Sequence, residues 1–293
     1  MASGFNRTAN SATVALVVPI MTTRRSTVLA TILAAAAALA CDVRVNDKGV
    51  SLDVSDGGRA EDEWKRTYPL AKGGQFELNV FAGDINISQA SGAAVEVLAR
   101  REAHAKTDEE ARALLGTSLI SEEVSADRVS IDGTQLKGKQ DFRRRIRIDY
   151  RIGIPPGLTV SIRNEFGRVA LENVTGRFAI NSTNSRIEAE GVSGGFEIET
   201  VNGGVQMEIA AITSDIRMRT VNGGIVLHLP TNTNATLEAT TINGGVSVDA
   251  SLKLTPTTKE PQRLSGRLGT GAGPRIELST TNGGVQLDGY VPR

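Results

Sequence analysis

The chain is short of the residues on which much catalytic and scaffold chemistry rests. It has one cysteine and two histidines in 293 residues. A single thiol builds neither a disulfide framework nor a cysteine-rich zinc site, and two histidines far apart in sequence leave little for histidine-based catalysis. Net charge is also missing: 33 Lys and Arg balance 33 Asp and Glu. A general nucleic-acid binder needs a basic excess to neutralise phosphates, so the balance argues against nucleic acid as a partner. What is present is a 40% hydrophobic content, enough for a folded core and too much for a disordered chain.

Residues 1–40 contain no acidic residue, and Arg24-Arg25 precede an apolar, alanine-rich stretch from Val28 to Ala40. Charge followed by a short apolar run is the order of a secretory signal, and the run is too short for a membrane span. It ends at Cys41, the only cysteine. The segment resembles a bacterial lipoprotein signal, which implies that Cys41 is lipidated and becomes the mature N-terminus. A start at Met21 would give that signal an ordinary length. Removing residues 1–40 takes away Arg7, Arg24 and Arg25 and no acid, moving the net charge to −3. The expectation is an exported protein, held by its lipid to a bacterial membrane on the periplasmic or outer-surface side.

Residues 41–63 are polar and turn-rich and read as a tether, leaving 64–293 as one domain. Phe76, Leu78 and Val80 alternate, Ala82-Gly83-Asp84 turns, and Ile85 and Ile87 alternate again, the pattern of a strand pair. A short helix is expected near 107–116, where Thr107 precedes Glu110 by three residues ahead of Ala111, Leu114 and Leu115. Further strands are expected at Val129 and Ile131 and from Ile146 to Ile154.

From residue 158 the chain repeats. Phe166-Gly167-Arg168-Val169 is followed by NSRI at 184–187, NGGV at 202–205, NGGI at 222–225, NGGV at 243–246 and NGGV at 282–285. The intervals are 18, 18, 20, 21 and 39 residues, the last enlarged by a Thr-, Gly- and Pro-rich insertion at about 251–274. Apolar residues recur six and four positions before each turn, and Val or Ile closes each tetrad. Period-2 alternation on both sides of a fixed turn means two short strands per repeat. A unit with one apolar face must stack to bury it. The expected fold of 64–293 is all-β: a single β-solenoid, parallel β-helix-like, of two-strand coils of about 20 residues with NGG turns, coils lying about 4.8 Å apart and repeats clearest over 158–290.

The stretch YRIGIPPGLTVSIRNEFGRV from Tyr150, the NGG turns and the closing LGTGAGPRIELSTTNGGVQLDG resemble a bacterial family of β-strand-repeat domains labelled adhesins, whose function is unknown. The resemblance spans roughly 65–290. It implies an extracytoplasmic, often membrane-attached protein, and no established ligand or catalytic residue comes with it.

Candidate sites follow from the stacking. Asn184, Asn202, Asn222, Asn243 and Asn282 should form a structural ladder at one corner, since stacked amides hydrogen-bond to one another and Asn suits tight turns. Ser182, Thr200, Thr220, Thr241 and Thr280 should form an inner hydroxyl row. Glu197, Arg217 and Glu238 should stack as opposite charges on consecutive coils. Glu172, Glu190, Glu208, His228, Asp249 and Asp288 fall in one outward column. Like charges that close either splay into solvent or gather a cation, for which these oxygens would suit Ca²⁺. Arg143, Arg145, Arg147 and Arg151 share one strand face and form a basic patch for an anionic partner such as lipid phosphates or acidic glycans. Gly191-Val192-Ser193-Gly194-Gly195 matches GxSxG, but a nucleophile elbow needs a following helix and a strand is expected there. These features predict a non-enzymatic adhesion or interaction module at the cell envelope, with a protein or glycan partner and with solenoid ends through which copies could associate. The alternatives are a passive structural or stress-related envelope protein, and a glycan-active enzyme on a β-helix using outward carboxylate pairs.

Overall fold

The computed structural model describes residues 42–46, 49–53, 57–136 and 145–292. Its contacts divide the chain after Gly57 into two units. In the first, β1 (Asp42–Asn46) and β2 (Gly49–Asp53) form an antiparallel hairpin. Cys41 lies outside the described residues.

Among the described residues the second unit is all-β apart from one helix and short 3-10 segments, and its strands join in a 17-stranded sheet. It begins with β3 (Arg59–Pro69), β4 (Gln75–Ala82), β5 (Ile85–Gln89) and β6 (Ala94–His104). The tether expected over 41–63 therefore does not hold: 42–53 contains a hairpin, and Arg59–Glu63 opens β3. Its polar composition hides a strand because the charges are paired across to β6, in Arg59–Glu102 at 3.0 Å, Arg100–Glu61 at 3.0 Å and Arg101–Asp62. Asp62 lies directly opposite Arg101 and the other two pairs are diagonal, and opposite charges so placed stabilise an antiparallel pair. Helix α1 (Asp108–Leu115) follows, where Thr107 accepts from the Glu110 N–H at 3.2 Å and Glu110 accepts from the Lys106 N–H at 3.3 Å. Ala111, Leu114 and Leu115 are its buried face. Then come β7 (Ser118–Val124), β8 (Arg128–Leu136) and β9 (Ile146–Ile154).

The repeats form β10 (Leu158–Glu172), β11 (Thr175–Asn202), β12 (Val205–Asn222), β13 (Ile225–Pro230), β14 (Ala235–Asn243) and β15 (Val246–Val248). After a 3-10 turn at Ala250–Leu252, β16 (Leu254–Glu260), β17 (Arg263–Leu268), β18 (Arg275–Asn282) and β19 (Val285–Tyr290) complete the chain. Neighbouring repeats pair in parallel and in register, as Val160↔Phe178, Ile162↔Ile180 and Val169↔Ile187 show. Period-2 alternation puts every second side chain into one core, where Phe178 and Phe196 stack with centroids 5.4 Å apart. Each fully buried large side chain contributes roughly 1.5–3 kcal/mol.

β4 and β5 make a rung of the stack, Phe76 beside Val160 and Ile85 beside Val169. One aspect differs from expectation: the coils do not stack in sequence order. The last one, β18–β19, lies between β12–β13 and β14–β15, parallel to both. The insertion forms the antiparallel hairpin β16–β17, which pairs with β14 beyond it. Its outermost strand, β16, carries Pro256, Lys259 and Glu260, residues that discourage further strand pairing.

Candidate functional site

The repeat turns build one edge of the molecule, and backbone geometry dictates its composition. A Cβ on Gly203 would lie 1.9 Å from the Ser185 carbonyl oxygen; on Gly223, 2.2 Å from that of Gly203; on Gly283, 2.2 Å from that of Gly223; and on Gly244, 2.0 Å from that of Gly283. The first glycine of each NGG is therefore required by the neighbouring rung. The second is less confined, the nearest atom to a Cβ on Gly224 being 3.3 Å away.

The amides ahead of these glycines make a continuous ladder. Asn202 donates to Asn184 at 2.9 Å, Asn222 to Asn202 at 2.8 Å, Asn282 to Asn222 at 2.7 Å and Asn243 to Asn282 at 2.8 Å. All five candidate asparagines are brought together, in the order 184, 202, 222, 282, 243. The inner hydroxyls do not bond along a row of their own. Thr220, Thr280 and Thr241 donate to the carbonyls of Gly203, Gly223 and Gly283 at 3.0, 2.8 and 2.8 Å, tying each turn to the next. Ser182 donates to the Asn164 carbonyl at 2.8 Å.

Sequence reasoning missed the apolar side of this edge. Six large hydrophobic residues are exposed among those described, and four of them, Phe166, Val201, Val221 and Ile242, lie along the turns. Val201 and Val221 are each 42% exposed and Ile242 is 62% exposed. The signal was available: with Thr200 and Thr220 inward, alternation sends the next residue out. Beside the edge is a groove of 870 Å³ lined by two neighbouring columns, Arg163, Asn181, Glu199 and Arg219 in one and Thr183, Val201 and Val221 in the other.

The outward charges are rearranged by the coil order. Arg217 lies beside Glu277, not Glu238, and Glu277 meets Arg217 at 3.3 Å and Arg219 at 3.1 Å. The hydrogen bond from Arg219 chiefly holds the Glu277 carboxyl below the usual range. Glu238 pairs instead with Arg263 at 3.3 Å and Arg275 at 2.6 Å.

On the other strand Glu172 lies opposite Glu190, Glu208 opposite His228, and His228 opposite Asp288. Asp249 is at the end of the column and accepts from the Ser251 N–H at 2.7 Å, capping the 3-10 turn; hydrogen bonding to Ser251 lowers its pKa. Among the described residues, no group of three or more His, Cys, Asp or Glu side chains is placed to hold a metal ion. Of the basic patch, Arg143 lies outside the described residues. Arg145 and Arg151 are exposed, and Arg147 is paired with Asp84 and Asp149, each at 2.8 Å. Ser193 of the GxSxG match sits within β11, with no helix after it. No described helix is long and apolar enough to cross a membrane.

Several solved structures are similar in outline. A "putative cell adhesion protein" from Clostridium sporogenes is 14% identical, with 79% of this chain and 100% of that one covered at a TM-score of 0.48. A "putative adhesin" from Parabacteroides distasonis is 10% identical over 79% and 98% at 0.31, and a "putative lipid binding protein" from the same species is 12% identical over 79% and 97% at 0.28. At such identities and scores nothing is carried over from them. A comparison with curated proteins finds no match. The family model Toastrack DUF4097, of β-solenoid-like fold, matches residues 72–288, and the chain belongs to that family.

Proposed function

We propose that this protein is an exported, lipid-anchored adhesion or interaction module of the bacterial cell envelope, without catalytic activity of its own. The observation that carries the reading is the turn edge, where an amide ladder runs from rung to rung and exposed apolar side chains stand beside it, Val201 and Val221 on adjacent rungs and Ile242 beyond the rung of Thr281. Exposed apolar surface of this kind marks an interaction surface on a protein whose core is otherwise closed. The apolar run ending at Cys41 supports export and anchoring, and family membership agrees with a β-repeat module. Metabolic labelling of producing cells with an alkyne fatty acid tests the anchor: label and membrane fractionation should both be lost in Cys41→Ala, and label retained in that variant contradicts it. Crosslinking in the same cells, followed by mass spectrometry, tests the module: adducts should concentrate on the turn edge.

A further inference from the structure

Resting on the reading of the protein as an interaction module, we infer that the turn-edge groove is its binding site and that the ligand is an extended, uncharged polysaccharide lying along the stack. The two columns that line the groove differ in chemistry. On one, Arg163, Asn181, Glu199 and Arg219 present exposed planar groups with several donors or acceptors each; on the other, Val201 and Val221 present half-exposed apolar surface. A sugar ring has the matching halves, a rim of hydroxyls and a face of C–H groups.

Charge narrows the class. Arg163 and Arg219 are outnumbered by Asp132, Glu165 and Glu199 in the same groove, and Arg219 is already paired with Glu277, so a polyanion meets no attractive field there. Periodicity narrows it further. The columns advance at the rung spacing of about 4.8 Å, offering contacts at regular intervals, which suits a polymer of repeating units. A peptide could not add as a strand, because the backbone flanking the groove is already paired on both sides, β11 with β12 and β12 with β18.

The test titrates the full chain by calorimetry with cellohexaose, chitohexaose and heparin. A neutral hexasaccharide should bind more tightly than heparin. Val201→Asp with Val221→Asp, and separately Arg163→Ala with Glu199→Ala, should each weaken it about tenfold, while Gln206→Ala on the other strand leaves it unchanged. These side chains are exposed, so an unaltered melting midpoint will show that the variants fold. No binding of either neutral hexasaccharide, tighter binding of heparin, or equal binding by the groove variants overturns the assignment. A photo-crosslinking residue at position 201 in cells separates the two levels of the claim. Protein adducts there without glycan binding overturn the polysaccharide and leave the module, whereas no adduct and no glycan binding overturn both.

Discussion

Substituting alanine at the two glycines of one turn should have sharply unequal effects. In Gly223→Ala the new methyl would lie 2.2 Å from the Gly203 carbonyl oxygen, 2.6 Å from its carbon and 2.9 Å from the Gly204 nitrogen, all of them backbone. No rotamer relieves such a contact, so the rungs must part by about 1 Å to restore ordinary van der Waals separation. The bonds at risk are Gly203 N–H to the Asn222 carbonyl and Val205 N–H to the Gly224 carbonyl, both 3.0 Å. Overpacking of this kind costs about 1–3 kcal/mol, and a weakened backbone hydrogen bond adds about 1 kcal/mol. A loss of roughly 2–4 kcal/mol follows, or about 5–15 °C in melting midpoint for a domain of this size. In Gly224→Ala the nearest atom, the Gly284 carbonyl oxygen, is 3.3 Å away, and the expected change is within about 0.5 kcal/mol. Urea unfolding followed by circular dichroism and by Trp64, the only tryptophan, measures both. Equal destabilisation by the two substitutions would refute the argument that the neighbouring rung dictates the first glycine.

Asn222→Ala removes two ladder bonds and Asn243→Ala one; at about 0.5–1 kcal/mol per exposed bond, the inner substitution should cost about twice the terminal one in urea unfolding, and equal costs would contradict a bonded ladder. Glu122 is held below the usual carboxylate range chiefly by the hydrogen bond from Tyr68, with Arg66 assisting. Stability from that group is therefore present above the unfolded value near 4.5 and lost as pH falls through the lower folded value. Tyr68→Phe should accordingly be less stable at pH 7 by about 1 kcal/mol and converge on the parent protein as pH falls below 4.5, in melts taken across that range; a constant difference would contradict the linkage. Glu277→Gln should change stability by less than about 1 kcal/mol despite its arginine contacts, because these groups are largely solvated; a larger loss that persists in 1 M salt would show the pairs to be shielded from solvent.

Much of this architecture was legible because the repeat is strict. Inward columns such as Phe178 and Phe196, the asparagine ladder and the Thr107 cap each follow from local spacing and agree with the structure. Coil order was not legible for a physical reason. The turns at 243–246 and 282–285 carry the same tetrad, so either could stack on 222–225, and nothing within the repeats distinguishes them. The hairpin β16–β17 does, by pairing with the far side of β14 and leaving the near side to β18. The rung at 75–89 lies outside the stretch where the repeat is clearest because β6 to β9 intervene before the tetrads begin. The apolar edge was overlooked since Val201, Val221 and Ile242 do not belong to the columns that define the repeat.

Everything placed on the turn edge depends on the last coil entering between its two neighbours. Paired cysteines in a Cys41→Ser background test this directly. Arg219 lies beside Ser279, and Ser279 beside Thr240. Disulfides form only when Cα atoms are within about 7 Å, which one rung spacing satisfies and two do not. Arg219→Cys with Ser279→Cys should crosslink on mild oxidation, and Arg219→Cys with Thr240→Cys should not. A crosslink between 219 and 240 without one between 219 and 279 would contradict the inserted coil and dissolve the continuous edge.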